Sequence, residues 1–321
     1  MKISKRKDEH IKYALKEKEI TNAFDQIKID HISLPLFNFD DVNLETTFLG
    51  YKIPYPIYIN AMTGGSKKAH KINLKLSLYA KKFNLPMVLG SQSAALKNAD
   101  LIDTYKVVRK NNPDGIIVSN INLNYNSKDA NKAIEMVFAN AISIHLNPVQ
   151  ELVMKEGDRN FSEWENNLKD ILLNVNKPIL VKEVGFGMSE STIIRLKSLG
   201  VKYIDISGSG GTNFAKIERL RKKGKNTIFD NVGIETVEAI ANAKEHYDEF
   251  YASGGIRNAH DIFKALYLGS SAVGLSKYFL SLTKLSNEKA FSKIEELIND
   301  LKKYFVLYGY KNLFEMKNRG K

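Results

Sequence analysis

From residue 53 onward, short apolar runs alternate with amphipathic segments. Each run ends in Gly, Ser, Asn or Thr, a pattern typical of a buried strand that leads into a loop. The eight runs are 56–62, 86–91, 115–120, 141–146, 178–184, 203–209, 249–255 and 271–276. Between them lie segments of helical periodicity, such as 70–83, 190–200 and 258–269. The pattern predicts eight strand–helix units in succession.

Strands that are apolar on both faces and separated by helices indicate a parallel sheet covered on both sides. Eight such units in about 250 residues is the count for a closed (β/α)8 TIM barrel. The alternative, a doubly wound open sheet, rarely repeats eight units without a reversal of strand order. We therefore predict an α/β protein with one domain over 1–321: an N-terminal extension (1–50), a barrel core (53–284) and a closing helix with a tail (285–321).

Composition narrows the class of protein. The chain has 321 residues, of which 43% are hydrophobic, and it contains no cysteine. Disulfides, thiolate nucleophiles and cysteine-based zinc sites are therefore excluded. No apolar run approaches the roughly 18 residues of a membrane span, and no apolar stretch of signal-peptide type follows the charged N-terminus. We expect no membrane span and a cytoplasmic location.

The net charge of +12 suggests an anionic partner, either nucleic acid or a small phosphorylated molecule. The lysines are dispersed, and the densest basic cluster, RLRKKGK at 219–225, lacks interleaved aromatic residues. Solvated helix faces account for most of these charges. A basic nucleic-acid-binding protein is an alternative, but it leaves the polar strand ends without a purpose, so we expect no nucleic acid.

The carboxyl ends of the strands are rich in glycine and small polar residues, and in a TIM barrel the active site lies at these ends. The loop 207–214, SGSGGTNF, does not match the G-x-G-x-x-G spacing of dinucleotide-binding folds. The loops 253–257 and 274–277 follow the seventh and eighth strands, where such barrels commonly bind phosphate. We predict a phosphate site there, with Arg257 as a bidentate cation.

Two strand ends carry side chains suited to chemistry. The run 141–146 finishes in His145, Asn147, Gln150 and Glu151. Lys182 ends the fifth strand; it is either a structural cation or a charge that faces the barrel mouth, where it would suit a reduced, negatively charged flavin.

Motifs along nearly the whole chain resemble the type 2 isopentenyl-diphosphate delta-isomerases, which are FMN-dependent TIM barrels. These motifs are RKDEH (6–10), AMTGG (61–65), GSQ (90–92), HLNPVQE (145–151), VKEVGFG (181–187), SGSGGTNF (207–214) and GGIR (254–257). The order of HLNPVQE and SGSGGTNF on one chain is the most specific part of the resemblance.

The resemblance implies a role for particular residues. Those expected to contact FMN are Ala61, Met62, Thr63, Ser91, Asn120, Lys182, Ser207 and Thr212, with Gly255, Arg257, Ser276 and Lys277 at its phosphate. Those expected to bind the substrate diphosphate are Arg6, Lys7, His145, Asn147 and Gln150, with His145 and Gln150 as catalytic candidates, while Glu151 would bind Mg²⁺.

The implied reaction interconverts isopentenyl and dimethylallyl diphosphate in isoprenoid biosynthesis. The resemblance assigns reduced FMN as acid and base, NADPH or NADH as its reductant, and a homo-oligomeric state, either tetramer or octamer.

The chain departs from the family pattern at two places. Ser93 stands where many members have arginine, and 229–236 lacks a common Trp-Gly pair. A second enzymatic class, FMN barrels that oxidise 2-hydroxy acids, needs a histidine base and an arginine near the end of the sixth strand. SGSGGTN at 207–213 contains neither. Two structural alternatives also stand: RKDEH as a simple helix start with Asp8 near its N-terminus, and His145 as a structural histidine.

Overall fold

Eight parallel strands form a closed barrel in the computed structural model, which describes residues 2–16, 21–221 and 228–318. A short antiparallel hairpin, β1 (Thr46–Phe48) and β2 (Tyr51–Ile53), precedes the barrel. The barrel strands are β3 (Ile57–Ile59), β4 (Met87–Val88), β5 (Ile117–Asn122), β6 (Ala141–Leu146), β7 (Ile179–Glu183), β8 (Tyr203–Asp205), β9 (Tyr251–Ser253) and β10 (Ala272–Leu275). They pair in chain order and β10 closes on β3, which confirms the predicted TIM barrel.

Helices surround the barrel and cover its mouth. The described helices are α1 (Lys2–Ala14), α2 (Lys67–Phe83), α3 (Ser93–Lys97), α4 (Asp103–Asn111), α5 (Ser127–Val137), α6 (Pro148–Val153), α7 (Trp164–Asn174), α8 (Glu190–Ser198), α9 (Phe214–Arg221), α10 (Thr236–Lys244), α11 (Ala259–Leu268), α12 (Lys277–Leu282), α13 (Asn287–Leu307) and α14 (Leu313–Asn318). The segments predicted as helices at 70–83, 190–200 and 258–269 correspond to α2, α8 and α11. Nowhere in the described ranges is a helix both long and apolar enough to cross a bilayer.

Local chemistry fixes the ends of these elements. The Ser66 hydroxyl accepts from the N–H of Ala69 and caps α2, which ends at Asn84 in a left-handed conformation. Strand β6 coincides with the predicted run 141–146, whereas β8 stops at Asp205 because Ser207 turns with φ +34°. Most predicted strands are longer than the observed ones because their last residues belong to the loops at the mouth.

The β1–β2 hairpin closes the amino-terminal end of the barrel. The Phe48 ring lies 4.6 Å from the Tyr58 ring and 4.8 Å from the Tyr251 ring, measured between centroids. The N–H of Leu49 donates to the Tyr251 hydroxyl at 2.6 Å. Each large apolar side chain buried here contributes roughly 1.5–3 kcal/mol. The hairpin acts as a plug at this end, so the barrel is entered from the carboxyl ends of its strands.

Helix α1 contacts a loop on one side of that open mouth and helix α9 on the other. The Ser4 hydroxyl donates to the carbonyl of Gly65 at 2.7 Å, and the Ser66 hydroxyl donates to Asp8 at 2.6 Å. On the other side His10 contacts Glu218 of α9 at 2.6 Å. RKDEH therefore lies inside a helix that begins at Lys2, so the interpretation of this motif as a helix start is wrong. Of the basic cluster 219–225, only 219–221 falls within the described residues.

Candidate active site

A cavity of about 780 Å³ occupies the mouth of the barrel beneath α1. This volume lies within the range of small-molecule and cofactor sites. Nearly all of the site residues predicted from the sequence lie together in this cavity. Those that line the cavity are Arg6, Lys7, Ala61, Met62, Ser91, Asn120, His145, Asn147, Gln150, Glu151, Lys182, Ser207, Thr212, Gly255, Arg257, Ser276 and Lys277.

Thr63 is the exception among the nominated residues. Its side chain is 1% exposed and it does not line the cavity. Its backbone packs against Gly90, where an added Cβ would lie 2.5 Å from the Thr63 carbonyl carbon. Thr63 is thus buried behind the wall, and its contribution to the wall is the support of Gly90.

One end of the cavity is built from main chain, and we call the loops 207–212 and 254–257 the backbone end. A Cβ on Gly254 would lie 2.0 Å from the carbonyl oxygen of Gly208, and Gly254 has φ +94°. A Cβ on Gly211 would lie 2.5 Å from the nitrogen of Gly255. Only glycine permits this approach and conformation. Peptide N–H groups held in such a turn can bind an anion.

Arg257 is already paired at the backbone end. Its Nε donates to Asp261 at 2.8 Å, and its Nη1 donates to Asp25 at 3.0 Å. The guanidinium group lowers the pKa of Asp25 to about 2, and the two carboxylates raise the pKa of Arg257. The bidentate phosphate contact predicted for Arg257 therefore has to compete with two carboxylates.

Another part of the cavity wall is built from side chains at and just beyond the carboxyl ends of β6 and β7, and we call residues 145–151 together with Lys182 the side-chain end. His145 Nδ1 lies 2.8 Å from Asn120 Oδ1. The Asn120 amide nitrogen donates to the carbonyl of Leu89 at 2.8 Å, so its oxygen is the group that faces His145. His145 Nδ1 consequently carries the proton, and in the neutral ring Nε2 is an acceptor.

The electrostatic environment keeps His145 neutral. Burial and the positive charges of Lys182 and Lys7 lower its pKa to about 3. Lys182 is the register partner of His145 on β7. An imidazole between two ammonium groups is a place where a negatively charged ligand would change the protonation state.

Asn147 and Glu151 form a small buried unit at the start of α6. The Asn147 amide nitrogen donates to Glu151 Oε1 at 2.9 Å and, more weakly, to Gln150 Oε1 at 3.3 Å. Glu151 Oε2 accepts the N–H of Asp158 at 2.8 Å. The amide oxygen of Asn147 is buried and has no hydrogen-bond partner in the described structure. An unsatisfied buried oxygen of this kind indicates a missing donor, such as a ligand or a water.

Glu183 is a buried carboxylate that the sequence analysis missed. Its Oε2 accepts the N–H groups of residues 184, 185, 186 and 187 at 2.6, 2.6, 2.5 and 3.1 Å. Burial raises its pKa to about 7, against the opposing effect of these donors and of Lys182. Lys182 Nζ donates to the carbonyl of Glu183, so the two residues order the end of β7 together. Glu183 is the acidic residue of the motif VKEVGFG.

Asp205 is a second missed carboxylate, directly below the cavity. It accepts hydrogen bonds from Tyr58 at 2.7 Å, Asn60 at 3.0 Å and Ser253 at 2.7 Å, and from the N–H of Ser207 at 3.1 Å. It is fully buried. A charged residue inside the apolar run YIDIS should have directed attention to it, because a buried carboxylate requires several donors.

Arg6 and Lys7 project from α1 into the cavity with few partners. Arg6 Nη1 lies 3.9 Å from Glu156 Oε1 and from Met154 Sδ, and its buried Nε has no partner in the described structure. Burial and the neighbouring Arg6 lower the pKa of Lys7 to about 8. Two adjacent positive charges in one cavity favour the binding of an anionic ligand.

An ionic cluster holds α1 in this position. Arg221 of α9 contacts Glu9 at 3.0 Å and Glu218, and Glu218 also contacts His10. Burial lowers the pKa of His10, with the nearby Lys7 and Arg221 acting in the same direction and Glu218 opposing them. The cluster fixes the helix from which Arg6 and Lys7 reach the cavity.

The donor set fits FMN and fits magnesium only with help from a ligand. Backbone N–H groups at one end and Lys182 at the other suit a phosphate and an electron-rich ring system, respectively. No group of three or more His, Asp or Glu side chains able to hold a metal exists in the described ranges. Glu151 alone suits Mg²⁺ that takes its other ligands from phosphate and water.

Comparison with known proteins places this geometry in a family. Residues 122–320 match the family described as FMN-dependent dehydrogenase. The isopentenyl-diphosphate delta-isomerase of Listeria innocua is 45% identical over 98% of this chain and 89% of its own length. The protein of the same name from Staphylococcus epidermidis is 38% identical over 97% and 91%.

Solved structures agree on the architecture. A flavocytochrome b2 variant with bound sulfite has a TM-score of 0.70 at 17% identity, over 97% of this chain and 81% of the other. A mandelate oxidase variant with an FMN adduct has a TM-score of 0.62 at 15% identity, over 96% and 90%. These similarities concern the fold. From the sequence similarity and the FMN-family match together, the chain belongs to the type 2 isopentenyl-diphosphate delta-isomerases, a family of FMN-dependent TIM barrels.

Proposed function

We propose that this chain interconverts isopentenyl and dimethylallyl diphosphate in isoprenoid biosynthesis, with FMN as cofactor and Mg²⁺ on the diphosphate. The two compounds differ in the position of one double bond, so the reaction adds a proton at one carbon and removes a proton from a second carbon. The reaction has no net redox change. The observation that supports this proposal most strongly is the pair of cations, Arg6 and Lys7, that lines the cavity of a chain from an FMN-dependent family.

The cation pair would bind the diphosphate. Arg6 has one distant carboxylate, and the pKa of Lys7 is lowered by burial and by the positive charge of Arg6. A diphosphate supplies negative charge and raises the Lys7 pKa again. Because both residues sit on α1, substrate binding would also hold the helix over the mouth and exclude water from the reaction.

His145 would respond to the same charge. In the free protein its Nε2 is an acceptor and cannot donate to a phosphate oxygen. A bound diphosphate offsets the charges of Lys7 and Lys182, which raises the His145 pKa and allows Nε2 to become a donor. His145 would therefore bind the diphosphate as an imidazolium, and Asn147 would donate through its amide.

Glu151 would carry the metal. A bare carboxylate beside a diphosphate is repelled, and Mg²⁺ between them removes that repulsion. Asn147 and the N–H of Asp158 already orient both oxygens of Glu151. Gln150 lies on the same short helix and does not titrate, so it would orient the alkene.

Bound reduced FMN would supply a proton donor and acceptor at the alkene carbons. Lys182 would stabilise negative charge on the ring through its own fixed charge. NADPH would be the reductant of the flavin. The cytoplasmic location and the homo-oligomeric state, tetramer or octamer, stay predictions.

Product analysis tests the proposal. The purified protein is incubated anaerobically with isopentenyl diphosphate, FMN, NADPH and Mg²⁺, and dimethylallyl diphosphate is measured by mass spectrometry after chromatographic separation. We expect product to accumulate to equilibrium. Absence of product, together with flavin reduction by a 2-hydroxy acid, would instead assign the chain to the oxidising class. That class needs a histidine near the end of β8, where residues 206–213 contain none.

A further inference from the structure

The N-terminal extension reaches the backbone end through Asn22. The Asn22 side-chain amide donates to the carbonyl of Gly255 at 2.7 Å and, at 3.4 Å, to the carbonyl of Gly210. These carbonyls belong to the two loops of the backbone end, so one side chain bridges both. Asn22 is 9% exposed, and the bridge is therefore shielded from water.

Peptide geometry gives the bridge a consequence inside the cavity. In a trans peptide the C=O and the N–H point in opposite directions, and the described chain contains no cis peptide bond. Carbonyls of Gly210 and Gly255 that are tied to Asn22 therefore direct the N–H groups of Gly211 and Ile256 away from it. Both of those residues line the cavity. Within the described ranges neither N–H donates a hydrogen bond.

Asn22 is itself fixed by the short 3-10 helix Ala23–Gln26. Its side-chain oxygen accepts the N–H of Phe24 at 3.0 Å, and its own N–H donates to Asp25 at 3.0 Å. Asp25 pairs with Arg257, and Lys264 donates to the carbonyl of Phe24 at 2.7 Å. Asn22 cannot rotate without breaking the start of this helix, so the two carbonyls are held by a rigid group.

We propose that Asn22 is a positioning residue for the cofactor phosphate, which it controls by orienting the two unpaired N–H groups of Gly211 and Ile256. Convergent N–H groups in a glycine loop bind a phosphate dianion and offer nothing comparable to a neutral hydroxyl. Asn22 thereby makes the site selective for FMN over riboflavin. This inference rests on the proposed flavin function.

The test is Asn22→Ser, which separates the two tasks of the side chain. Serine caps a helix as well as asparagine does, so the bond from Phe24 is retained. It is too short to donate to Gly255. The matched control is Asn38→Ser, because exposed Asn38 starts the other 3-10 helix of the extension, Phe39–Asp41, and its N–H donates to Asp41 at 2.9 Å in the same way.

The dissociation constants of FMN and riboflavin are measured by quenching of flavin fluorescence, with the full chain freed of flavin. We expect the FMN affinity of Asn22→Ser to fall about tenfold, as for the loss of a hydrogen bond to a charged group, with the riboflavin affinity unchanged. Asn38→Ser should match wild type for both flavins. If the ratio of the FMN affinity to the riboflavin affinity stays at the wild-type value, the inference is overturned. An equal loss of affinity for both flavins is such a result.

Hydrogen exchange of the wild-type protein provides a second measurement if Asn22→Ser does not fold. FMN should protect the amides of residues 21–26 more strongly than riboflavin does, because phosphate binding and the Asn22 bridge support one another. Equal protection by the two flavins would contradict the inference. If the wild-type protein binds no FMN, both this inference and the proposed function are overturned. If the wild-type protein has isomerase activity but Asn22→Ser keeps the wild-type ratio of FMN to riboflavin affinity, this inference alone is overturned.

Discussion

The two ends of the cavity are built on different principles. At the backbone end, Gly208 and Gly254 approach so closely that a Cβ on Gly254 would lie 2.0 Å from a carbonyl oxygen. At the side-chain end, burial and neighbouring charges lower the pKa of His145 to about 3, and burial raises the pKa of Glu183, which does not line the cavity, to about 7. One end offers fixed dipoles, and the other offers groups that change state.

This difference matches two kinds of task. A phosphate that stays bound through every turnover needs donors that do not titrate, which peptide N–H groups provide. A substrate that enters and leaves needs groups whose charge responds to it, and we propose this role for His145 at the side-chain end and for Lys7 on α1. We therefore expect substitutions that add atoms to have their main effect at the backbone end, and substitutions that remove a charge to have theirs at the side-chain end.

The largest expected effect is at the backbone end, in Gly254→Ala. The new Cβ meets backbone, which cannot move cheaply, and φ +94° adds strain for any residue other than glycine. We expect a loss of more than about 3 kcal/mol in the free energy of unfolding, with loss of bound FMN. Urea titration followed by circular dichroism gives the first quantity.

Gly200→Ala is the matched control. Gly200 has φ +87°, but nothing lies within 4 Å of an added Cβ, so this substitution introduces backbone strain alone. It should cost about 1 kcal/mol and leave FMN binding intact. Equal destabilisation by the two substitutions would show that close packing at the backbone end is unimportant.

The second effect is at the side-chain end, in Glu151→Gln. This substitution keeps the shape and removes the charge that would hold Mg²⁺. We expect activity to fall about 100-fold, which corresponds to roughly 2.7 kcal/mol. The Mg²⁺ dependence should shift to higher concentration while FMN content stays the same.

Exposed Glu163 provides the control for that experiment, because Glu163→Gln changes the net charge by the same amount on the following segment. Its Mg²⁺ curve should overlay that of wild type. A Glu151→Gln curve that also overlays wild type would show that Glu151 is not the metal ligand and has only a structural role at the start of α6.

A third effect concerns pH and His145. Its pKa of about 3 in the folded chain lies below the unfolded value of about 6.5, so the unfolded state binds more protons between these values. The contribution of neutral His145 to the free energy of unfolding is fully present above pH 6.5 and is lost as the pH falls toward 3. Between pH 7.5 and 5 the loss from this group is about 2 kcal/mol.

His145→Asn removes this contribution, because asparagine does not titrate. Urea unfolding at pH 7.5 and at pH 5 should therefore give a smaller pH dependence for the variant than for wild type. Identical pH dependences would mean that His145 is not held neutral by its surroundings, and the proposed response to the diphosphate would lose its basis.

The smallest effect is on the flavin potential, in Lys182→Met. Removal of a fixed positive charge destabilises the reduced, anionic flavin. If the coupling is about 1 kcal/mol, the midpoint potential falls by about 20 mV for a two-electron couple. Potentiometric titration against a reference dye measures this shift.

Lys177→Met supplies the control, since Lys177 is exposed just before the start of β7, at the end of the strand away from the cavity. Its potential should equal that of wild type. A Lys182→Met protein that retains FMN at the wild-type potential would assign Lys182 to structure alone, through its bond to the Glu183 carbonyl.

The sequence predicted the barrel well because parallel strands covered on both faces leave continuous apolar runs. Strand β6 was predicted residue by residue at 141–146. The hairpin β1–β2 was not predicted: its strands have three residues each, too few to establish a period of alternation. Its role as a plug depends on contacts with Tyr58 and Tyr251, which only the folded chain brings near.

The candidate site followed from the sequence where strand ends identify it, as at His145 and Lys182. It did not follow where a contact joins distant parts of the chain. Asn22 lies 233 positions before Gly255, and no local pattern links them. Thr63 was predicted to contact FMN because it belongs to the motif AMTGG. The side chain of a motif residue can face the core, and Thr63 is buried behind the wall of the cavity. Asp205 and Glu183 were missed because an isolated acid in a strand does not reveal its donors.

We propose that isomerisation needs reduced flavin, bound in a cavity with fixed peptide dipoles at the backbone end and titratable groups at the side-chain end. The most direct test compares one preparation in two states under anaerobic conditions: flavin reduced with dithionite, without NADPH, and flavin left oxidised. We predict that the reduced protein forms dimethylallyl diphosphate with no consumption of reductant per turnover, and that the oxidised protein forms none. Equal rates in the two states would contradict the account.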